Sequence, residues 1–405
     1  MTMENKKNVP AIRFKGFTCI WVSKKFDKTF STLSNNTLSR ADLNYEKGST
    51  KNVHYGDILI KFGECTDVDR KDIPYISDEK IADKYIASRL QDGDIVFADT
   101  AEDVMVGKCT ELFNVKEQPI ISGLHTIPCH PLFPFSTGYL GYFLNSSAYH
   151  TQLLSLMQGI KVVGISKTAI KETNVSFPEN TDEQQAIGNF FQNIDRLINT
   201  SQAKLDKLKT LKKACLEKMF PKNGSTIPKL RFKGFAEEWK PSKLNEILRM
   251  HPFKPYLAKP ILGGKYAIIQ QGDNPIVGYA NGEPFYDYKN VVLFGDHTLS
   301  LYKPRAPFFV ATDGIRILSG DEVNDGDYLL CLLVQNRPNS EGYKRYYSSL
   351  VNKQCFITIN QQEQIKIGKL FKTTDDLIAK TEQKINKLKN IKKACLDKMF
   401  VNRED

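Results

Sequence analysis

The stretch LKKACLEKMFPKNGSTIPKLRFKGF, Leu211 to Phe235, decides the fold because both of its ends occur a second time in the chain. Its first part returns as Lys392-Lys393-Ala394-Cys395-Leu396-Asp397-Lys398-Met399-Phe400, and its last part, RFKGF, also stands at Arg13–Phe17. A tryptophan follows each RFKGF after four residues, at Trp21 and Trp239. The stretch is therefore a junction, where one unit ends and another copy begins.

Working outward, Glu183–Phe220 aligns without a gap on Glu363–Phe400 at an offset of 180, with 20 identities in 38 positions. The RFKGF and Trp matches fall at an offset of 218, so segments of unequal length, about 22–182 and 240–362, lie between the fixed parts. Those segments show little mutual resemblance. The plan is a cap, a variable domain and a fixed segment, given twice; repeats of this size are half-molecules rather than solenoid units.

The fixed segments read as long amphipathic helices. Ile187, Ile194, Leu208 and Cys215 share a heptad position, with Phe190, Leu197, Leu211 and Phe191, Ile198, Leu205 beside it. Ile367, Leu388, Cys395 and their neighbours repeat the stripe. Asn360 with Glu363 predicts a capping box, Thr181 with Gln184 a looser one, and Pro221 with Gly224 ends the first helix. Ser201, Lys204, Thr374, Thr381 and Lys384 interrupt the stripes midway, as in a helix pair of fixed register. Each helix is the natural partner of the other, and antiparallel pairing gives the near two-fold symmetry that the repeat favours.

The variable segments read as mixed α/β (α+β) domains. DILIKF (57–62), DIVFAD (94–99) and IISGLHTIPC (120–129) are strand-like in the first, followed by a helix over 138–157. In the second, KYAIIQQGD (265–273), NVVLFGDHTLSLY (290–302) and APFFVATDGIRIL (306–318) are strand-like, and DYLLCLLVQ (327–335) is a helix or a buried strand. The expected boundaries are 1–182, 183–222, 223–362 and 363–405.

Composition narrows the class. With 41% apolar and 25% charged residues in 405, the chain is globular and large enough for several cores. It has no membrane-length apolar run and no hydrophobic leader at its start, so a cytoplasmic protein is expected. Eight cysteines without a CxxC pair suit reduced thiols. Of the net charge of +11, +8 lies in the two helical segments, with seven basic against four acidic residues in one and ten against five in the other. A basic chain invites nucleic acid as a partner, although charged helix faces are also simply solvated.

No P-loop, HExxH, G-x-S-x-G or Pro-Pro-containing methyltransferase loop occurs. His125, Cys129, His130 and Cys109 could form an irregular zinc set, but ordinary strand residues are the preferred reading. What remains is a surface suited to base edges. Gln270, Gln271 and Asn274 can pair with adenine, and lysines and arginines with guanine or phosphate. Late in each variable segment comes a loop of small, basic and hydroxyl residues, with Lys161, Ser166 and Lys167 in one and Lys344 and Arg345 in the other. Lys61, Thr100, Ser122 and the histidines of an echoed Gly-x-His-Thr, His125 and His297, complete the candidate DNA contacts.

The P-x-[IL]-R-F-K-G-F…W openings at Pro10 and Pro228, the E-Q-x-x-I-G starts at Glu183 and Glu363, and the KKAC-L-[ED]-KMF ends together resemble the specificity subunits of Type I restriction–modification systems. The resemblance spans the chain. It implies two target-recognition domains, each reading half of a split, asymmetric double-stranded DNA site, with the two helices as a spacer. It also implies a non-catalytic chain without its own cofactor. Its partners would be two modification subunits, which use S-adenosylmethionine to methylate adenine, and restriction (translocase) subunits driven by ATP with magnesium. It does not transfer base contacts, because recognition domains differ between members. Two other readings stay open: a coiled-coil protein–protein scaffold without DNA readout, and a metal-dependent enzyme centred on His125 and Cys129.

Overall fold

The computed structural model describes residues 8–102, 105–116, 118–159, 162–222 and 224–401, with the Ile86 side chain left out. The chain forms two compact units, Met1–Thr200 with Ile385–Asp405, and Ser201–Lys384.

Both units are built on one frame, and the repeated motifs are its parts. In the first unit Val22–Lys25 pairs antiparallel with Asn174–Phe177; in the second Lys240–Lys243 pairs likewise with Gln354–Ile357. The arginine of each RFKGF closes the frame. Arg13 Nε donates to Glu183 at 2.6 Å and Arg231 Nε to Glu363 at 2.6 Å, and both carboxylates are buried. A buried carboxylate needs such a partner, which explains why the R and the E of E-Q-x-x-I-G recur together. The following glutamine is also fixed: Gln184 and Gln364 each donate to a backbone carbonyl, of Pro178 and Thr358, at 2.8 Å. The motif's glycine is a close-approach residue. A Cβ at Gly188 would lie 2.6 Å from the Thr137 carbonyl, and one at Gly368 2.2 Å from Asp325 Oδ1.

The long helices span Thr181–Lys218 and Gln361–Lys398, 38 residues each. Their caps differ from expectation. Asn180, not Thr181, accepts from the amides of Asp182 and Glu183, and Asn360 does the same for Gln362 and Glu363. Glu363 cannot complete a capping box because Arg231 holds its carboxylate. Within each unit the helical segments run antiparallel. Asp195 meets Lys392 at 2.7 Å in the first, and Lys212 meets Asp375 and Lys209 meets Glu382 in the second, at 2.5 and 2.7 Å. The stripe splits: Ile187, Phe191, Ile194 and Leu205 are buried, whereas Leu197 and Leu211 are exposed. Ser201 and Thr381 are buried in the seam, the latter donating to the Leu377 carbonyl at 2.7 Å.

Each core is closed by the residues just beyond a long helix. Phe400 packs in the first unit against Trp21, Tyr139 and Phe191, with Met399 and Val401 beside it. Phe220 packs in the second against Trp239 and Tyr328, with Met219. The backbone repeats the arrangement: Ile12 N donates to Lys398 O and Leu230 N to Lys218 O, both at 2.9 Å.

Inside the frames the units diverge. The first holds a five-stranded sheet in the order Phe30–Thr32, Thr126–Pro131, Ile95–Ala98, Cys109–Phe113, Cys65–Asp67. Its four-stranded sheet runs Ile120–Ser122, Lys51–Val53, Tyr75–Ile76, Leu43–Asn44. The second holds a four-stranded antiparallel sheet, Leu248–His251, Ile315–Gly320, Val292–Gly295, Leu301–Tyr302, and a three-stranded one, Ile276–Ala280, Tyr266–Ile269, Phe308–Val310. Five local expectations fail. NVVLFGDHTLSLY breaks into Val292–Gly295 and Leu301–Tyr302, and APFFVATDGIRIL into Phe308–Val310 and Ile315–Gly320, which belong to different sheets. DILIKF is mostly helix, Tyr55–Ile60, because His54 caps it by accepting from Gly56 N. The 120–129 strand breaks in two at His125, whose φ is +54°. The expected long helix is two, Tyr139–Leu144 and Ser147–Leu154, separated where the Asn145 side chain pairs with the Cys109 backbone. DYLLCLLVQ is helical, Gly326–Gln335.

One buried acid gives the first unit a pH response. Burial pushes the Glu111 carboxyl up to about 7, against the pull of the Gly138 and Gly141 amides that donate to it at 2.6 and 2.8 Å. A carboxyl raised above its unfolded value near 4.5 favours folding when protonated. Its contribution is complete below that value and is lost as pH rises through 7. The first unit is expected to lose about 2–3 kcal/mol between pH 5 and 8 through this group. Denaturant melts across that range should show the decline, and Glu111→Gln should make it shallower.

Candidate nucleic-acid interface

Most of the candidate residues gather on one rim of each unit. In the first unit, the helix Tyr55–Ile60 presents Asp57 toward the loop that carries Arg40 and Tyr45. Asp57 is 1% exposed and accepts from Arg40 at 2.7 and 3.1 Å; Lys61 pairs with it at 3.1 Å. Both cations also donate to the Tyr45 hydroxyl at 3.1 Å. His54 Nδ1 lies 3.4 Å from Arg40, and His54 packs on Tyr55, which meets the His125 ring edge-on. Burial and the Arg40 charge push the His54 imidazole down, so it is neutral at pH 7. Beyond it, His125 Nδ1 lies 3.3 Å from Asp99 and 3.5 Å from the Thr100 hydroxyl. Lys167 donates to Leu33 O and Asn35 Oδ1, and Ser166 caps its short helix through Ala169 N. Contacts through Asp57, Arg40, His54 and Tyr55 therefore join Lys61 to His125 and Thr100, while Ser166 and Lys167 are held by contacts of their own. Ser122 is buried, its hydroxyl 2.6 Å from that of Thr126. Lys161 lies outside the described residues.

In the second unit the organiser is Asp296, whose side chain is fully buried. It accepts from Arg316 at 2.7 and 3.2 Å and from the Tyr347 amide at 2.7 Å, and Arg345 lies 3.6 Å away. Arg345 also reaches Asp313 at 3.0 Å. His297 stacks on Tyr343 with ring centres 5.0 Å apart, and Lys344 pairs with Glu341. Gln271 is a structural clamp, accepting from His297 N at 3.0 Å while its amide fills the space beside Gly314. Gln270 and Asn274 occupy the adjacent hairpin turn, with the Gln270 amide on Asn274 O. Sequence reasoning missed Arg40, Tyr45, Asp57, Asp296 and Arg316, since nothing local marks a buried carboxylate whose arginine comes from 17 or 20 residues away.

The echoed Gly-x-His-Thr sites are not equivalent. His125 precedes its strand, whereas His297 follows one, Val292–Gly295. Among the described residues no group of three or more His, Cys, Asp or Glu is arranged to hold a metal; Cys109 and Cys129 are core residues, and His130 pairs with Asp94 at 2.6 Å. A cleft of about 760 Å³ in the first unit adjoins Lys61, and in its wall Lys392 bridges Glu64 and Asp195 at 2.8 and 2.7 Å. Among the described residues no helix is long and apolar enough to cross a membrane.

No family model and no curated relative matches the chain. A solved structure does: the S subunit of a Type-I restriction-modification system from M. genitalium superposes with a TM-score of 0.67, covering 98% of this chain and 100% of that one at 14% identity. The chain has the fold of that S subunit. A structure described as underlying complex assembly and conformational transition of the type I R-M system gives a TM-score of 0.48 at 14% identity, over 94% and 97% of the two chains. The HsdS subunit from Thermoanaerobacter tengcongensis gives 0.43 at 15%, over 94% and 96%. The fold expected from the repeated motifs is the fold found: mixed α/β units with two long helices, repeated within one chain. At 14% identity the likeness resides in architecture, and the motif residues of this chain are explained by its own frame contacts.

Proposed function

We propose that this chain is the sequence-specificity subunit of a Type I restriction–modification complex. Each unit reads one half of a bipartite double-stranded DNA site, and partner subunits carry out adenine methylation or cleavage. The observation that carries the reading is one repeated frame enclosing two unlike domains, each with a rim of arginine, lysine, histidine and tyrosine. A constant frame with unlike interiors is what two independent readers of different sequences require. The basic and aromatic rims suit phosphate and base-edge contacts.

The partners implied are two modification subunits, which bring S-adenosylmethionine, and restriction subunits using ATP and magnesium. Docking is supported by apolar residues left in water on the long helices: Leu197 and Ile391 in the first unit, Leu211 and Leu377 in the second. Apolar side chains exposed on the long helices are available to such contacts.

The test is an exchange. Replacing 22–182 by the corresponding segment of a different specificity subunit should change one half of the methylated site and leave the other. Methylated adenines mapped in DNA from cells carrying the intact system give the readout. An exchange that alters both halves, or methylation without sequence preference, would end this reading; a scaffold without DNA readout would give the latter.

A further inference from the structure

The two rims share a constellation that their sequences conceal. Each has a buried aspartate, Asp57 or Asp296, with side-chain exposure of 1% and 0%. Each aspartate takes two bonds from one arginine, Arg40 or Arg316, which neutralises it. A second cation stands at the same carboxylate through a single contact, Lys61 at 3.1 Å or Arg345 at 3.6 Å; Arg345 is 52% exposed against 16% for Arg316, whereas Lys61 and Arg40 are alike at 39% and 43%. Beside each lies an exposed tyrosine: Tyr45, whose ring sits under Lys61, and Tyr343, one residue before Lys344. The arginine and aspartate cancel, which leaves the second cation as the surplus charge at each buried carboxylate; Arg345 shares its own with the exposed Asp313. The sites stand on different elements: the first on the helix Tyr55–Ile60 and the turn at Arg40, the second on the turn after Val292–Gly295 and the strand Ile315–Gly320. Packing alone gives no reason for both units to bury a carboxylate and then give it two cations, since one paired arginine already satisfies it.

Resting on the specificity-subunit reading above, we propose that Lys61 and Arg345 each read a guanine edge in their half-sites, and that Asp57 and Asp296 are the positioning residues that aim them. A guanidinium or ammonium reads guanine by donating to O6 and N7, and discrimination demands that it arrive in a fixed direction. The buried carboxylate supplies the direction, and the neutralising arginine keeps it from repelling DNA. Asp313, exposed and 3.0 Å from Arg345, covers that guanidinium in the free protein and yields it to the base.

The experiment uses the full chain with its modification subunits, after the methylated site has been mapped. Binding is measured on duplexes carrying the mapped site, the site with one half scrambled, or single guanine replacements. Asp296→Asn adds one positive charge, so binding to scrambled DNA should rise while preference for the mapped second half falls about tenfold. Asp57→Asn should do the same for the first half only. Arg345→Gln and Lys61→Gln alter exposed side chains; each should erase preference at one guanine position, again about tenfold, and Arg345→Lys should keep scrambled-DNA binding but blunt the preference. Aspartate variants that leave both preferences intact would overturn the proposal. So would Arg345→Gln and Lys61→Gln variants that weaken all duplexes by one common factor, the mark of a phosphate contact. A wild-type complex with no preference for any site would instead overturn the functional reading itself.

Discussion

Removing Met399 to Asp405 is expected to unfold the first unit while the second stays intact. The truncated residues lie far along the chain from Trp21 and Tyr139, yet they complete the core that contains both. Phe400 is 2% exposed, and replacing such a phenylalanine by alanine costs about 3–5 kcal/mol. Losing Met399 and Val401 as well takes the deficit to a large part of the 5–15 kcal/mol that holds a typical domain together. Hydrogen exchange read by fragment gives the answer: strands such as Ile95–Ala98 should lose protection and Val292–Gly295 should keep it. Phe220→Ala is the mirror control, acting on the second unit only. Retained protection in the first unit after truncation would show that Phe400 is an ornament on a self-sufficient core.

The second large effect concerns the isolated half. A Met1–Lys222 fragment carries the first unit's strands and a whole long helix but lacks Met399, Phe400 and the helix segment that pairs with Asp195 through Lys392. Ile187, Phe191 and Ile194 would then face water, at a cost of about 1.5–3 kcal/mol each. The fragment contains its own remedy. Its Met219-Phe220 repeats Met399-Phe400, and its Lys212 repeats Lys392, so a second copy can supply both the core plug and the ion pair. We expect a symmetric dimer by light scattering that, with the modification subunits, methylates an inverted repeat of the first half-site. A folded monomer would show that the repeated ends are not interchangeable.

The parts of the molecule that were legible in the sequence are those stated twice. The long helices and their antiparallel pairing project onto repeated letters; the arginine and glutamate of each frame are repeated too, but that they meet was shown only by the structure. The interiors were less legible. DILIKF has the composition of a strand, and only the His54 cap and the packing of its short helix make it helical. The split stripe was hidden for a similar reason: Leu197 and Leu211 have the same chemistry as Ile194 and Leu205, and burial depends on which face the partner helix covers. At the rims, the exposed Lys61, His125 and Arg345 and the half-buried His297 were named as candidates from residue chemistry. Ser122 was misplaced because its turn folds inward, and the aspartates that hold the cations take arginines from 17 to 49 residues away.

The closure of the first unit by Phe400 has a consequence for the order of birth. On the ribosome, everything the second unit needs, Ser201–Lys384, emerges as one uninterrupted run. The first unit must wait for Ile385 onward, about 200 residues after Thr200 has left the exit tunnel. At about 5–20 residues per second that delay is roughly 10–40 s. The domain translated first is thus the last to be finished, and the emergence of Phe400 is the event that seals it.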